Sequence, residues 1–235
     1  MIKLVPILLI ILASVVMIRF SAWRMGRDLR ARSKRFSHDQ LDRLTARLAK
    51  AAGIDRIEAR ILEDDTVNGL ATPGGEIYIT RGLFRHFQSG RISAEEIASV
   101  IAHELGHLAL GHTKRRMVEV SVAQTATMIV GGILARVIPF VGFYLAQFLA
   151  SLFVTRLSRR DEFEADAYAT ALMMKAGFSE EHQARMLEKL EDITPARKGM
   201  TEVAWLASHP PIAERTAAIR TNAQRWRETR AGAAG

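Results

Sequence analysis

The chain contains no cysteine among its 235 residues. That absence removes disulfides, thiolate metal sites and cysteine nucleophiles together, and it leaves the compartment open. Repeats are absent too, and low complexity is confined to the small-residue tail at 231–235. No apolar run reaches the roughly 20 residues of a standard bilayer span without interruption. No aromatic-rich nucleic-acid motif accompanies the 33 lysines and arginines behind the net charge of +8, so nucleic acid is not the expected partner. What the chain does have is 49% apolar and 25% charged residues, which excludes disorder as its main state. Its mean hydropathy of +0.04 is high for so charged a chain. The two agree only because the apolar residues are bunched.

Two blocks hold them. Residues 4–18 are aliphatic apart from Pro6 and Ser14, and Phe20, Ala22 and Trp23 extend the block if Arg19 reaches back to the interface. A cleaved signal peptide is the rival reading. Only Lys3 precedes the block, whereas Arg19, Arg24, Arg27, Arg30, Arg32, Lys34 and Arg35 follow it, which favours an uncleaved anchor with the rest of the chain in the cytoplasm. The second block, 117–154, breaks near Arg136 and Pro139 into two arms of about 17 residues each. It reads either as a helical hairpin packed on a soluble domain or as one inserted in the membrane. Lys114, Arg115 and Arg116 before it, and Arg156, Arg159 and Arg160 after it, favour insertion with membrane lipid as partner.

Between and after these blocks the pattern is that of a folded domain. Leu41, Leu44 and Leu48 form a helical stripe over 36–52, and Gly53 stops it. Residues 54–62 read as a strand; 67–72 and 76–80 read as two strands joined by the Pro73, Gly74, Gly75 turn. Ser93 and Glu96 form a capping box that opens a long helix running through at least Gly111. Further helices are expected at 159–176, 180–193 and 212–227. The division is an N-terminal transmembrane anchor (1–23), a basic juxtamembrane segment and helix (24–53), a domain with its apolar hairpin (54–228) and a flexible tail (229–235). The class is α+β, mainly helical, with a small antiparallel sheet.

The chemistry concentrates in the string His103, Glu104, Leu105, Gly106, His107. Residues i and i+4 share a helix face, so both imidazoles can address one ion, and neutral imidazole suits zinc. Glu104, beside the first ligand, can take a proton from a water that zinc makes acidic. The surrounding helix is apolar nearly all round, which argues against two surface histidines. A metzincin continuation is excluded, because its glycine and histidine positions hold Leu110 and Thr113. His112, five residues past His107, turns off the ligand face and reads as a polar helix-end residue. The third ligand should be a carboxylate from the run Asp161, Glu162, Phe163, Glu164, Ala165, Asp166. Glu162 and Asp166 share a face, so one can bind zinc while the other orients a histidine ring. Spacing alone leaves Glu162 and Glu164 both open as the ligand.

These two elements, together with Ser208, His209, Pro210, Pro211 and Arg215, resemble metallopeptidase family 48, the gluzincins that include HtpX-like and CAAX prenyl proteases. The likeness covers about 54–220. It implies a zinc metalloendopeptidase acting on protein or peptide substrates. It implies zinc on His103, His107 and Glu162, with Asp166 behind a ligand, and Glu104 as catalytic base. It also implies His209 as an oxyanion-stabilising candidate and Asn68 and Gly69 beside the substrate cleft. Membrane protein quality control in a bacterial plasma membrane, with the catalytic domain facing the cytoplasm, is the role implied. A catalytically idle membrane chaperone or scaffold is the alternative. The sequence departs from HtpX-like members in having one N-terminal apolar segment rather than two, and in lacking an aromatic near Asn68, Gly69 and Leu70.

Overall fold

The computed structural model describes residues 4–139, 141–193 and 210–232. Its elements run α1 (Leu4–Ala31), β1 (Ser33–Arg35), α2 (Asp39–Ala52), β2 (Ala59–Leu62), β3 (Gly69–Ala71), β4 (Ile77–Thr80), α3 (Arg81–Gln88), α4 (Ala94–Ala109), α5 (His112–Val137), α6 (Gly142–Lys175), α7 (Glu181–Ile193) and α8 (Ile212–Gly232). The class is α+β and mainly helical, as the sequence predicts.

The sheet departs from the expected antiparallel arrangement: it is mixed, in the order β1-β2-β4-β3. β4 pairs antiparallel with β3 across the Pro73–Gly75 turn, but it also pairs parallel with β2, in the register Ala59↔Ile77 and Leu62↔Thr80. The reason lies in burial. Ile77, Tyr78, Ile79 and Thr80 are all buried. A strand apolar on both faces belongs in the centre of a sheet. Gly69–Ala71 is short and half-buried, which suits an edge. The opposite edge, β1, comes from the basic run and pairs antiparallel with β2.

Helix α4 is the hub. It packs on α2, α6, α7, β3 and β4, and Ile97, Ile101 and Leu105 join Leu41, Leu48, Ile79 and Met173 in one core. A buried isoleucine such as Ile101 contributes on the order of 2–5 kcal/mol relative to alanine. The capping box is formed: the Glu96 N–H donates to Ser93 Oγ at 3.2 Å and the Ser93 N–H to Glu96 Oε2 at 2.7 Å. The helix ends at Ala109, two residues before the expected stop, because Gly111 takes a left-handed conformation, φ +71°.

The apolar block folds as two antiparallel helices, α5 and the start of α6. They pack closely: a Cβ on Gly142 would collide with the Leu134 carbonyl, and one on Gly131 would lie 2.7 Å from the Phe143 ring. Among the described residues nothing covers the hairpin's outer face. Met128, Ile129, Ile133, Val137, Tyr144 and Phe148 are all exposed. α6 is one unbroken 34-residue helix, about 50 Å long, where the sequence suggested an arm and then a new helix near 159. The second arm of the hairpin and the carboxylate-bearing segment are therefore one continuous helix.

Candidate metal centre

α4 and α6 cross where Gly106 lies against Ala165. A Cβ on Gly106 would come within 3.0 Å of the Ala165 carbonyl oxygen, so glycine permits the approach that brings the two motifs together. His103 and His107 then point inward from α4, with their Nε2 atoms 3.1 Å apart. From α6, Glu162 presents Oε2 at 3.5 Å from His103 Nε2 and Oε1 at 3.6 Å from His107 Nε2. Glu164 points elsewhere, so of the two glutamates it is Glu162 that the structure brings to the histidines.

Behind this triangle the ring nitrogens are held. His103 Nδ1 lies 2.9 Å from Asp166 Oδ1. Asp166 is buried and receives Arg215 in a two-pronged grip, Nε to Oδ2 at 2.7 Å and a terminal nitrogen to Oδ1 at 2.8 Å. Arg215 also reaches Glu162 at 3.3 Å, and the Gln183 amide donates to the Asp166 carbonyl at 3.2 Å. Arg215 entered the sequence reading only as part of a motif; here it neutralises two buried carboxylates.

His112, read as a polar residue at a helix end, does open α5, but it does not turn away from the site. It is 2% exposed, with Nδ1 3.0 Å from His107 Nδ1 and Nε2 3.0 Å from Glu164 Oε2. Asn68 and Gly69 lie at the edge strand, over α4. The Asn68 N–H donates to Thr80 Oγ1 at 2.9 Å. A Cβ on Gly69 would lie 2.7 Å from Val100 and 3.4 Å from Glu104 Oε1, so β3 runs directly above Glu104. His209 lies outside the described residues.

The electrostatics follow from this packing. Burial pushes the Glu104 carboxyl up to about 7; the Glu162 charge adds to the rise, and His103, Arg215 and the Ala71 backbone N–H offset it only in part. Burial also depresses His107, and with repulsion from His103 it holds the ring down to about 3, so the imidazole is neutral. For His103 burial acts the same way, but hydrogen bonds to Asp166 and Glu162 outweigh it and raise the ring to about 10. Burial raises Glu162 and Asp166, yet His103 and Arg215 overcome it and hold both below the ordinary carboxylate range. A site with two fixed carboxylates and converging imidazoles is built for a cation.

The donor set fits zinc. Tetrahedral bonds of about 2.0–2.1 Å put neighbouring ligand atoms about 3.3 Å apart. The three separations here are 3.1, 3.5 and 3.6 Å. Among the described residues a second cluster, His112, Asp161 and Glu164, also brings three ligand-type side chains together.

A histidine pair and a glutamate from two crossing helices, with a further glutamate beside the first histidine, define a zinc-peptidase type of centre. Residues 36–223 match the sequence pattern of peptidase family M48. The chain belongs to that family of zinc metallopeptidases. It is 31% identical over 157 residues to metalloprotease LoiP of Escherichia coli (strain K12), covering 66% of this chain and 58% of that one. It is 29% identical over 208 residues to protease HtpX of Hahella chejuensis, covering 74% and 69%. The beta-barrel assembly-enhancing protease of Escherichia coli (strain K12) is 29% identical over 175 residues, covering 71% of this chain and 34% of that protein. The chain thus spans little more than half of the first relative and a third of the last.

Proposed function

We propose that this protein is a membrane-anchored zinc endopeptidase that cleaves extended segments of protein or peptide substrates, membrane proteins awaiting removal among them. The observation that carries the reading is the triangle of His103, His107 and Glu162 with Glu104 alongside, beneath the edge strand β3. His103, His107 and Glu162 would hold one zinc ion, whose Lewis acidity acidifies a water and polarises the scissile carbonyl. Glu104 takes the proton of the attacking water and returns it to the leaving amine; its raised pKa suits both transfers. Asp166 accepts from His103 Nδ1, which leaves Nε2 free for the ion. His209 is assigned to the forming oxyanion from the family resemblance.

The free edge of β3 offers backbone groups to an extended peptide, which gives affinity with little side-chain preference. Gly69 lets that edge sit close to Glu104. Gly69→Val is expected to lift β3 and lower kcat/KM about 100-fold, the scale of a 1 Å misplacement, with zinc content unchanged. Peptide cleavage assays with metal analysis of the same samples check this.

The exposed apolar surface of α5 and α6 supports bilayer insertion. α5 is long and apolar enough to cross a membrane; its 26 residues extend about 39 Å against a core of about 30 Å. His107 precedes the hairpin and Glu162 follows it, yet they are 3.6 Å apart, so the hairpin crosses an even number of times. We assign two crossings with the metal centre in the cytoplasm. The absence of native cysteine makes the test clean. Single cysteines at the exposed positions Gln88, Arg136 and Lys175, treated with an impermeant thiol reagent on intact cells, are expected to label only at Arg136→Cys. Labelling at the other two without Arg136→Cys would reverse the orientation.

The peptidase reading itself is tested by casein cleavage. It is expected to stop with a zinc chelator and return on adding zinc; cleavage indifferent to chelation would defeat it.

A further inference from the structure

The proposed mechanism accounts for the partner of His103 but not for that of His107. Behind His107 lies a line of three side chains. His107 Nδ1 is 3.0 Å from His112 Nδ1, and His112 Nε2 is 3.0 Å from Glu164 Oε2. Glu164 Oε1 in turn receives Arg160 Nε at 2.7 Å. His112 is the first residue of α5, and Glu164 lies on α6. The line therefore runs through the root of the apolar hairpin.

We propose that His112 is a positioning residue, which with Glu164 fixes the tautomer and ring angle of His107 as a zinc ligand. The proton placement follows from donor and acceptor counting, given the zinc site above, on which this inference rests. A neutral His107 that offers Nε2 to the ion carries its only proton on Nδ1. Among the described residues that N–H has one partner, His112 Nδ1, which must accept. His112 then carries its own proton on Nε2 and donates it to Glu164, an ionised acceptor. Each hydrogen has one place to go. The arrangement parallels His103 and Asp166, with a second imidazole inserted between ligand and carboxylate. Such outer partners raise ligand basicity and hold ring orientation.

The same residues invite a competing assignment, a second metal bound by His112, Asp161 and Glu164. Asp161 is buried and its Oδ2 has no hydrogen-bond partner among the described residues. Yet Arg115 pairs with Asp161 and Arg160 with Glu164. Two guanidinium groups on those carboxylates already supply the positive charge a dication would bring, and they oppose its approach.

The test uses the purified full chain, with zinc as the probe, measuring metal-to-chain ratio, zinc affinity by chelator competition and melting of the metal-free protein. One zinc per chain is expected in the wild type. His112→Phe keeps a buried ring but cannot accept; it is expected to weaken zinc binding about 10- to 100-fold while leaving the metal-free melting temperature little changed. His112→Gln, whose amide oxygen can accept from His107, is expected to recover most of that loss. A merely structural role would lower melting and give no such rescue. Should His112→Phe fail to fold, Glu164→Leu, at a one-third exposed position, tests the same line, with zinc binding about tenfold weaker expected, the low end of the range for such outer partners. Unchanged zinc affinity in the folded variants would overturn the proposal. So would two zinc ions in the wild type falling to one in His112→Phe. A wild type that binds no zinc would instead overturn the metal centre of the proposed function.

Discussion

Replacing Glu104 by glutamine is expected to leave zinc content and fold nearly intact and to lower peptide cleavage by at least about 100-fold, up to the 10⁴-fold typical of a lost general base. The argument rests on position. Glu104 follows His103 on α4 but does not join the ion triangle; its carboxylate lies under β3, where an extended substrate would run. Burial raises its pKa to about 7, the range in which a carboxylate both takes and returns a proton. Glutamine keeps the shape and one oxygen, so folding and metal binding have no reason to change. Metal analysis beside a cleavage assay separates the two effects. Retained cleavage would remove Glu104 from the mechanism, and lost zinc would make it a ligand.

The second large effect is expected at Glu162. Glu162→Ala removes one corner of a triangle with sides of 3.1, 3.5 and 3.6 Å, and leaves Arg215 facing a pair of histidines with one carboxylate fewer. Zinc affinity is expected to fall more than about 100-fold, beyond the range for groups that only support a ligand. Glu164→Ala, two residues away, is expected to keep one zinc per chain with affinity within about tenfold, because Glu164 acts through His112. Chelator competition on both variants decides it, and the reverse order would move the ligand to Glu164.

Much of this centre was legible in the sequence because its parts are local. The spacing of His103 and His107, the shared face of Glu162 and Asp166, and the Ser93–Glu96 cap all depend on one helix at a time. The failures share the opposite property. On a continuous helix His112 stands about 140° from His107, but Gly111 breaks the helix, and the new turn folds His112 back against His107. Arg215 is 49 residues from Asp166, and no local period announces such a pairing. The strand order failed for the same reason. Three of the four strands were recognisable, yet the insertion of β4 between β2 and β3 follows from burial on both its faces. β1 carried no apolar alternation at all, only the charges of Lys34 and Arg35. The hairpin was legible as two apolar arms, but the continuity of its second arm with the helix bearing Glu162 was not, because hydropathy changes there while the backbone does not.

The measurement that bears most directly on the account is anomalous X-ray scattering at the zinc edge from crystals of the zinc-loaded protein. One peak is expected, about 2 Å from His103 Nε2, His107 Nε2 and a Glu162 oxygen. No peak there, or a peak enclosed instead by His112, Asp161 and Glu164, would contradict it.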